Sequence, residues 1–452
     1  MKRKCHIDDN VRALGEIFRQ AGHELYLVGG AVRDWLLGLE NDDWDFTTDA
    51  LPEEVMALFP RRCIPTGIGH GTVTVRFRGR SYEVTTFRSE GSYSDGRHPD
   101  SVTFVRSLES DLERRDFTIN AFAANTSDGI IIDLHNGMRD LKDHVVRAIG
   151  DPEERFREDA LRMLRACRFA SRLDFTLDEA TEAAATKLSG NIRLISAERI
   201  REELFKLLMG RNPVRGLELM RRTGLLAHVL PELMDCYGVE QVGRHHEDVY
   251  HHCLTTLEMA RRHSYPLIVR VAALLHDVAK PRCLKVETDG TTSFHGHDRL
   301  GGEMVDAIMR RLKSSNEERE LASLLVREHM FNYTDEWSDG AVRRFIRRVG
   351  AQNIEPLIQL RIADAQAMDP SCRLDGLWAF EERMKGEIGR KVPLSVKDLA
   401  VDGNDLMALG IPRGPMLGKV LSAILEAVLD DEGLNSPEVL SDLALRKWKE
   451  LS

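Results

Sequence analysis

The sequence predicts an α+β fold, with a mixed sheet and flanking helices in the first third and helices throughout the rest. Two observations support this prediction. Before about residue 150, short apolar or alternating segments typical of strands lie between segments with helical apolar spacing. After that point the helical spacing continues to the C-terminus with almost no strand pattern. A chain of 452 residues is long enough for about three domains.

The elements of the first third follow one another in a regular order. The segment "NVRALGEIFRQAG" predicts a helix that ends at Gly22, and "LYLVG" predicts a buried strand. "AVRDWLLG" returns to helical spacing, and "DWDFTT" alternates as a strand does. "GTVTVRFRGRSYEVTTFR" predicts two strands around a turn, and "GSYSDGRHPDSV" predicts a loop. The segment "ERRDFTINAFA" ends in an apolar, helix-like run that includes "AFA". The segment "IIIDLHNG" predicts the last strand.

The rest of the chain divides at candidate joints near Gly150, Asn212–Pro213, Gly243 and Val392–Pro393. The segment "DPEERFREDALRMLRACRFASRL" predicts an amphipathic helix, with apolar residues on one side and arginines on another. Three of these joints bound four predicted domains, at residues 1–150, 151–212, 213–392 and 393–452, and Gly243 lies within the third.

Composition excludes some classes of protein. The net charge of −10 argues against a uniformly basic nucleic-acid binder, although it permits a local basic face. The seven cysteines are scattered without paired spacing, which is typical of reduced thiols in the cytoplasm. There is no apolar run of the length that a secretion signal or a membrane span requires. We therefore expect a cytoplasmic protein with no membrane partner.

Three carboxylates suggest a magnesium site. Asp43 and Asp45 stand two apart in a predicted strand, so they point to the same face. Two adjacent carboxylates repel unless a cation neutralises them, and Mg²⁺ combines a few carboxylates with substrate phosphates. Glu83, on a later strand, is a supporting candidate for a third ligand. A solvated acidic strand edge is the alternative.

Glycines and arginines suggest a phosphate site beside these carboxylates. Gly29 and Gly30 precede a predicted helix, where the backbone allows close approach and the helix start attracts anions. Arg33 would lie in the first turn, where a cation is unfavourable unless an anion binds alongside. Arg115 could reach a triphosphate, because the guanidinium fork suits phosphate oxygens. An ordinary tight turn and a helix cap by Asp116 are the alternatives.

A second row of charges lies in the predicted amphipathic helix. Its members, spaced three apart near one helical face, are Asp159, Arg162, Arg165 and Arg168. Stacked like charges predict an anion opposite them, although pairing with nearby glutamates is the alternative. A carboxylate accepts from exocyclic amines and a guanidinium donates to ring acceptors, so Asp159 and Arg162 could read a base edge.

The order of these motifs resembles a known family. The motifs G-G-x-V-R-D-x-L-L-G, D-x-D, R-R-D-F-T-I-N-A and E-D-x-L-R-x-x-R-x-x-R-F are similar to those of bacterial class II tRNA nucleotidyltransferases. These are the CCA-adding enzymes and their poly(A) polymerase relatives, whose heads have a polymerase-β-like nucleotidyltransferase fold. The resemblance covers the first half of the chain and implies a catalytic head followed by an all-helical neck.

The resemblance also implies roles. Asp43 and Asp45 would hold two Mg²⁺ ions while an RNA 3′-hydroxyl attacks the α-phosphate and pyrophosphate leaves. The residues that would bind the nucleotide are Gly30, Arg33, Arg115, Asp159, Arg162, Arg165 and Arg168. Asp159 and Arg162 would select C or A without a nucleic-acid template. Asp116 and Asn120 are supporting candidates.

The family contains enzymes with different products. The CC-adding type lacks a loop that "SEGSYSDGRHPDSVTFV" supplies here, so we predict addition of CCA from CTP and ATP. An A-adding enzyme working with a separate CC-adding enzyme is an open alternative. The C-terminal segment 393–452 resembles the family module that grips the tRNA acceptor and T-arm stack.

The third domain resembles another family. The order H…HD…H…D between about residues 245 and 370 is similar to the HD metal-dependent phosphohydrolases. His252, His276, Asp277 and Asp364 match the core ligands, and His297 and His329 match the extra ligands of two-metal variants. Histidine and carboxylate ligands suit a divalent transition metal. The resemblance implies a possible second activity. An HD phosphohydrolase whose head only binds RNA is therefore a further alternative.

Overall fold

The computed structural model describes the whole chain except residues 1–2, 42, 92–101, 242–246, 287–291 and 391. The predicted loop "GSYSDGRHPDSV" therefore lies mostly outside the described residues, as does the candidate joint at Gly243. The chain folds as two compact units, Met1–Met234 and Asp235–Ser452. The boundaries of the four predicted domains stay a prediction. No helix in the described part of the chain is long and apolar enough to cross a membrane.

The first unit combines strands with helices. Its strands are β1 (Leu25–Val28), β2 (Asp45–Thr48), β3 (Cys63–Gly67), β4 (Thr72–Phe77), β5 (Arg80–Thr86), β6 (Arg88–Glu90), β7 (Val102–Phe104), β8 (Phe122–Asn125), β9 (Ile131–Asp133), β10 (Val145–Val146) and β11 (Thr176–Leu177). Its helices are α1 (Asp9–Gln20), α2 (Gly30–Leu36), α3 (Pro52–Leu58), α4 (Leu108–Glu113), α5 (Gly137–Asp143), α6 (Pro152–Glu158), α7 (Leu161–Leu173), α8 (Glu179–Leu188), α9 (Ala197–Leu208), α10 (Pro213–Arg222), α11 (Leu226–Val229) and α12 (Pro231–Met234).

A seven-stranded mixed sheet organises the head in the order β3-β4-β5-β2-β1-β8-β9. Only the β2–β5 pair is parallel, and it sets Asp45 directly beside Glu83. One face of the sheet packs against α1 and α3 through the rings of Phe18, Phe59 and Phe77, whose centroids lie 5.8 and 6.1 Å apart. Alternation along each strand therefore buries one set of side chains and leaves Asp45 and Glu83 on the opposite face.

Two sequence predictions for this unit are wrong. The run "AFA" is not a continuing helix, because Thr118–Asn120 forms one 3₁₀ turn and Phe122–Asn125 is strand β8, paired with β1. The predicted amphipathic helix is broken, because Asp159 adopts an extended backbone (φ −140°, ψ 104°) between α6 and α7. The prediction of a mixed sheet followed by helices is confirmed.

The second unit is almost entirely helical. Its helices are α13 (Val249–Arg262), α14 (Leu267–Leu275), α15 (Lys280–Cys283), α16 (His297–Arg311), α17 (Asn316–Glu328), α18 (Asp339–Val349), α19 (Ile354–Met368), α20 (Asp375–Gly389), α21 (Gly403–Ala408), α22 (Pro415–Asp430) and α23 (Pro437–Leu451). A short hairpin joins β12 (Lys285–Val286) to β13 (Thr292–Ser293). Helices α13, α14, α16, α17 and α19 pack around one buried centre of histidines and aspartates. The last helices share a separate apolar core that includes Leu406, Ile424 and Leu440.

Candidate active site

A cavity of about 650 Å³ in the first unit gathers most of the predicted nucleotide site. The predicted residues that line it are Gly30, Arg33, Asp43, Asp45, Arg115, Asp116, Asn120, Asp159, Arg162, Arg165 and Arg168. They come from four separate segments of the chain, 30–33, 43–45, 115–120 and 159–168. Glu83 does not line this cavity, although its strand places it next to Asp45.

The carboxylates occupy the edge of the sheet where β2 begins. Asp45 is the first residue of β2, whereas Asp43 precedes the strand, which corrects the prediction that both lie within it. The oxygens of Asp43, Asp45 and Glu83 do not all lie within 4.8 Å of one another. The three carboxylates nevertheless interact. The pKa of Asp45 is raised to about 6, first by burial and then by the charges of Asp43 and Glu83. A divalent cation would relieve this repulsion, so the donor set fits Mg²⁺.

The glycine turn is shaped for the approach of an arginine. Gly29 has φ +68° and ψ −128°, a conformation that other residues rarely adopt. A Cβ atom on Gly29 would lie 3.1 Å from a guanidinium nitrogen of Arg115. The turn thus brings Arg115 against the start of α2, on the same side as Asp45.

Arg33 differs from the sequence prediction. It lies in the last turn of the short helix α2, so it does not oppose the helix dipole in the way predicted. Its side chain is buried, and its guanidinium pairs with Asp34 at 2.7 Å and donates to Oδ1 of Asn120 at 2.5 Å. Asp34 also accepts from Arg172 at 2.9 Å and from Asn41 at 2.8 Å. The charge of Arg33 is therefore already neutralised by a protein carboxylate.

A chain of hydrogen bonds continues from Arg33 into the helical neck. Nδ2 of Asn120 donates to Asp116 at 3.0 Å, and Asp116 also accepts from Arg165 at 2.6 and 2.9 Å. Burial alone would raise the pKa of Asp116, but Arg165 and Asn120 lower it to about 2. Arg165 and Arg168 both pair with Glu203 of α9. The anion predicted opposite the arginine row is thus supplied largely by Asp116 and Glu203.

The proposed base-reading pair is already engaged within the protein. Asp159 accepts the backbone N–H of Leu161 at 3.0 Å and the guanidinium of Arg199 at 2.7 Å. Arg162 is buried, pairs with Glu158 and donates to the carbonyl oxygen of Arg114 at 3.2 Å. Because the helix breaks at Asp159, the carboxylate accepts the N–H of Leu161 at the start of α7 and faces the cavity instead of continuing the row along its surface.

Sequence reasoning missed several residues that line the cavity. Arg172 continues the arginine row one turn beyond Arg168, so the helical spacing could have found it. The guanidinium of Arg168 lies over the ring of Phe169, with its Cζ atom 4.0 Å from the ring centroid. Arg199 and His70 come from distant segments without a local motif that marks them.

A second cluster lies in the other unit and contains all six predicted HD residues. His252, His276 and Asp277 bring ligand atoms within 4.8 Å of one another, and Asp277, His297 and His329 do the same. Asp364 joins the first group, because its Oδ1 lies 3.2 Å from Nε2 of His252. All six side chains are buried.

The histidines are oriented as metal ligands usually are. Nδ1 of His276, His297 and His329 each faces a backbone carbonyl of its own helix region, at 2.9, 2.8 and 2.6 Å. These contacts favour a tautomer that leaves a lone pair on Nε2. Within the part of the chain that the structure describes, Nε2 of His297 and of His329 is buried and makes no hydrogen bond, although it faces Oδ1 of Asp277 at 3.3 and 3.9 Å respectively. Two buried acceptors aimed at Asp277 fit a divalent transition metal.

The charges of this cluster agree with that interpretation. The pKa of Asp277 lies well below its ordinary value, because the charges of a protonated His276 and of Lys280 outweigh burial, and a metal ion bound to Nε2 of His276 would take the place of that proton. Nζ of Lys280 lies 2.7 Å from Asp277. His251 contacts Asp248 at 2.7 Å and stands apart from the cluster, and His295 is exposed. His245 and His246 lie outside the described residues.

Comparison with known proteins agrees with both sites. Residues 25–147 match a family model described as the poly A polymerase head domain, and residues 249–369 match one described as the HD domain. Residues 174–236 match a model described as a probable RNA and SrmB-binding site of polymerase A.

Full-length relatives extend these matches. The CCA-adding enzyme of Limosilactobacillus reuteri is 34% identical over 447 residues, which cover 97% of each chain. That of Anoxybacillus flavithermus is 36% identical and covers 96% of each. A crystal structure of the Bacillus stearothermophilus CCA-adding enzyme in complex with CTP superimposes with a TM-score of 0.71 at 31% identity, over 98% of each chain.

The fold and the cavity therefore define a nucleotidyltransferase with an attached HD domain. Identity at this level over nearly the whole length goes further than the class. The chain belongs to the family of CCA-adding enzymes, the tRNA nucleotidyltransferases that the motifs predicted.

Proposed function

We propose that the protein adds CCA to the 3′ end of tRNA, using CTP and ATP and releasing pyrophosphate. The observation that supports this most strongly is the convergence of a carboxylate pair, a glycine turn and the arginine row on one cavity. The full-length relationship to CCA-adding enzymes supports the same substrates. Mg²⁺ in the head, a cytoplasmic location and a tRNA-binding role for residues 393–452 belong to the same proposal.

The residues divide the work of nucleotidyl transfer. Asp43 and Asp45 would hold Mg²⁺ ions, which supply Lewis acidity to the α-phosphate and lower the pKa of the attacking 3′-hydroxyl. Gly29 and Gly30 let the triphosphate approach the backbone. Arg115 lies close enough for its charge to act on Asp45, and it would neutralise charge on the phosphates. Positioning and charge neutralisation then account for most of the catalysis.

Base selection would use Asp159 and Arg162. A carboxylate has about four acceptor positions, so Asp159 can accept from a base while Arg199 stays bound to one oxygen. The buried contacts of Arg162 hold its guanidinium in one orientation, which favours a fixed hydrogen-bonding pattern over a flexible one. To select C twice and then A, the hydrogen-bonding groups of Asp159 and Arg162 would need to change position once the first two additions are finished.

The test is extension of three tRNA transcripts that lack CCA, CA or A, each with Mg²⁺, CTP and ATP. We expect all three to reach full CCA ends, and the double variant Asp43→Ala/Asp45→Ala to extend none. Extension of only the transcript that lacks A would make the protein an A-adding enzyme. Extension of none by the unaltered protein would exclude the polymerase function.

A second function is favoured by the buried histidines. We propose that His252, His276, Asp277 and Asp364 hold a transition metal, with His297 and His329 as further ligands, and that the centre hydrolyses a phosphoester. Metal analysis of the purified protein should find about one or two equivalents of metal per chain. If the purified protein contains no metal, and hydrolyses no phosphodiester after a divalent transition metal is added back, this function would be contradicted.

A further inference from the structure

The predicted nucleotide-binding residues lie to one side of strand β2, although His70 and Arg88 line the cavity from the side of β4 and β5. Gly29 and Gly30 follow β1, and Asn120 precedes β8. Both strands lie on the same side of β2 in the sheet, whereas β5, β4 and β3 lie on the other. The arginines of the neck join the cavity from the β1 side as well, through the bond between Arg172 and Asp34.

Nucleotidyl transfer requires the attacking and leaving oxygens to lie roughly in line with the phosphorus between them. If the triphosphate occupies the β1 side of the carboxylates, the RNA 3′-hydroxyl must arrive from the β5 side. The part of the sheet formed by β5, β4 and β3 is therefore the surface over which the RNA end would pass. This inference rests on the proposed function.

That surface is exposed on the face that carries Asp45. Cross-strand register places Glu83 beside Asp45 and Thr74 beside Glu83, and then Ile64 beside Thr74. Glu83 and Ile64 are exposed and Thr74 is partly exposed. Alternation puts Arg76 on this same face, opposite Ser81.

Two arginines stand opposite each other on this surface. The N–H of Arg76 donates to the carbonyl oxygen of Arg62 at 2.7 Å, so the antiparallel register of β3 and β4 continues one pair beyond Cys63 and Val75. Both side chains are exposed. Within the described residues, neither guanidinium has a hydrogen bond or an ion pair. Like charges directly opposite across two strands are destabilising, so a bound anion would relieve the repulsion.

We propose that Arg62 and Arg76 bind backbone phosphates near the 3′ end of the RNA substrate. At roughly 4.8 Å between strands, β4, which carries Arg76, lies about 10 Å across the sheet from β2, and Arg62, beside the start of β3, lies about 15 Å from β2. These distances suit phosphates upstream of the reacting nucleotide. Phosphate contacts fix the position of a strand without reading its sequence, and the protein needs such contacts to present any tRNA end to Asp45.

The neighbouring β4–β5 hairpin offers a matched control. Arg78 and Arg80 are also exposed, but they contact Asn10 and Asp8, each at 3.3 Å, near α1 on the other side of the sheet. We compare Arg62→Gln/Arg76→Gln with Arg78→Gln/Arg80→Gln, so that both variants lose two positive charges from adjacent strands of the sheet. Equilibrium binding of a fluorescent tRNA lacking CCA is measured over a range of salt concentrations, and KM is measured for tRNA and for CTP.

We expect the first variant to weaken tRNA binding at least fivefold and to raise KM for tRNA, with KM for CTP changed less than twofold. Its salt dependence should flatten by about 1.4 in log–log slope, at about 0.7 for each phosphate contact with a single strand. The control variant should keep wild-type values. Equal weakening by both variants, or by neither, would overturn the proposal. Binding is measured without catalysis, so a protein that extends no tRNA would refute the proposed function separately.

Discussion

Asn41 joins two parts of the candidate active site through a single side chain. Its Nδ2 donates to the buried carboxylate of Asp34 at 2.8 Å, and its Oδ1 accepts the backbone N–H of Asp43 at 2.8 Å. Asp34 in turn holds Arg33. The residue therefore couples the arginine beside the glycine turn to the loop that presents a carboxylate to the metal.

Replacing Asn41 should impair catalysis more than substrate binding. In Asn41→Asp a second carboxylate faces Asp34 in place of a donor, which costs about 1.5–3 kcal/mol for a hydrogen bond to a charged group. We expect kcat to fall roughly tenfold or more at saturating CTP, with a higher Mg²⁺ requirement. Steady-state kinetics across Mg²⁺ concentrations measure this. Asn10→Ala, which removes a contact with Arg78 elsewhere in the head, is the control.

Gly29 provides a second prediction for a single residue. In Gly29→Ala, the positive φ would be strained and the new methyl group would meet Arg115 at 3.1 Å. Gly38 also has positive φ, at +69°, but a Cβ there would meet nothing within 4 Å. Both substitutions should cost about 1–3 kcal/mol of stability from the backbone alone.

Only Gly29→Ala should also weaken nucleotide binding, because it displaces Arg115. Calorimetric titration with CTP, alongside thermal unfolding, separates the two effects. Equal CTP affinity in the two variants would show that the close approach of Arg115 has no role in binding.

Among the elements, the junction between α6 and α7 shows most clearly what the sequence could predict. The apolar spacing from Asp151 to Leu173 fits one helix, and nothing in that pattern indicates a break. The break arises because Asp159 bonds the N–H of Leu161 and the guanidinium of Arg199, forty residues away. Local periodicity cannot predict the contact between Asp159 and Arg199, because that contact depends on the packing of α9 against α7.

The same comparison explains the other differences. Strand β2 and the hairpin of β4 and β5 follow from alternation alone, so the sequence predicts them well. Strand β8 is short and apolar up to its last residue, Asn125, and a run of that length does not distinguish strand from helix. The motif residues of the cavity are found by resemblance, whereas Arg199 is positioned only by tertiary structure.

The break also separates two roles of Asp159. Asp151 caps α6 through the N–H of Glu153 at 2.8 Å, and Asp159 accepts the N–H of Leu161 at the start of α7 at 3.0 Å, but Asp151 lies outside the cavity. We expect both Asp159→Ala and Asp151→Ala to lose about 1 kcal/mol of stability from the lost hydrogen bond to the backbone.

Only Asp159→Ala should reduce the preference for CTP over UTP, by roughly 10- to 100-fold, as expected for a lost base contact. Single-turnover addition to a tRNA lacking CCA measures this preference. Retained discrimination in Asp159→Ala would exclude the carboxylate from base selection.

For the whole molecule, the two candidate centres belong to different compact units. In His297→Gln/His329→Gln, two proposed ligands are lost from the second unit while the head stays intact. We expect bound metal and phosphodiester hydrolysis to fall at least tenfold, and nucleotide addition to tRNA to stay within about threefold of wild type.

Metal analysis and the two activity assays on one preparation test this independence. His263→Gln, which alters an exposed histidine bonded to Gln366, should change neither activity. A parallel loss of nucleotide addition in His297→Gln/His329→Gln would show that the two centres depend on each other.

The bonds around Asp34 and Asp116 have a consequence for how the protein can be divided. Asp34 accepts a hydrogen bond from Arg172, and Asp116 accepts one from Arg165, and both arginines belong to α7. A fragment that ends near residue 150 would leave the buried carboxylate of Asp116 without its arginine and would remove Arg172 from Asp34, which keeps only Arg33; an unpaired buried charge is strongly destabilising. The sheet and α7 therefore depend on each other for stability, and chimaeras made between relatives should exchange the two together.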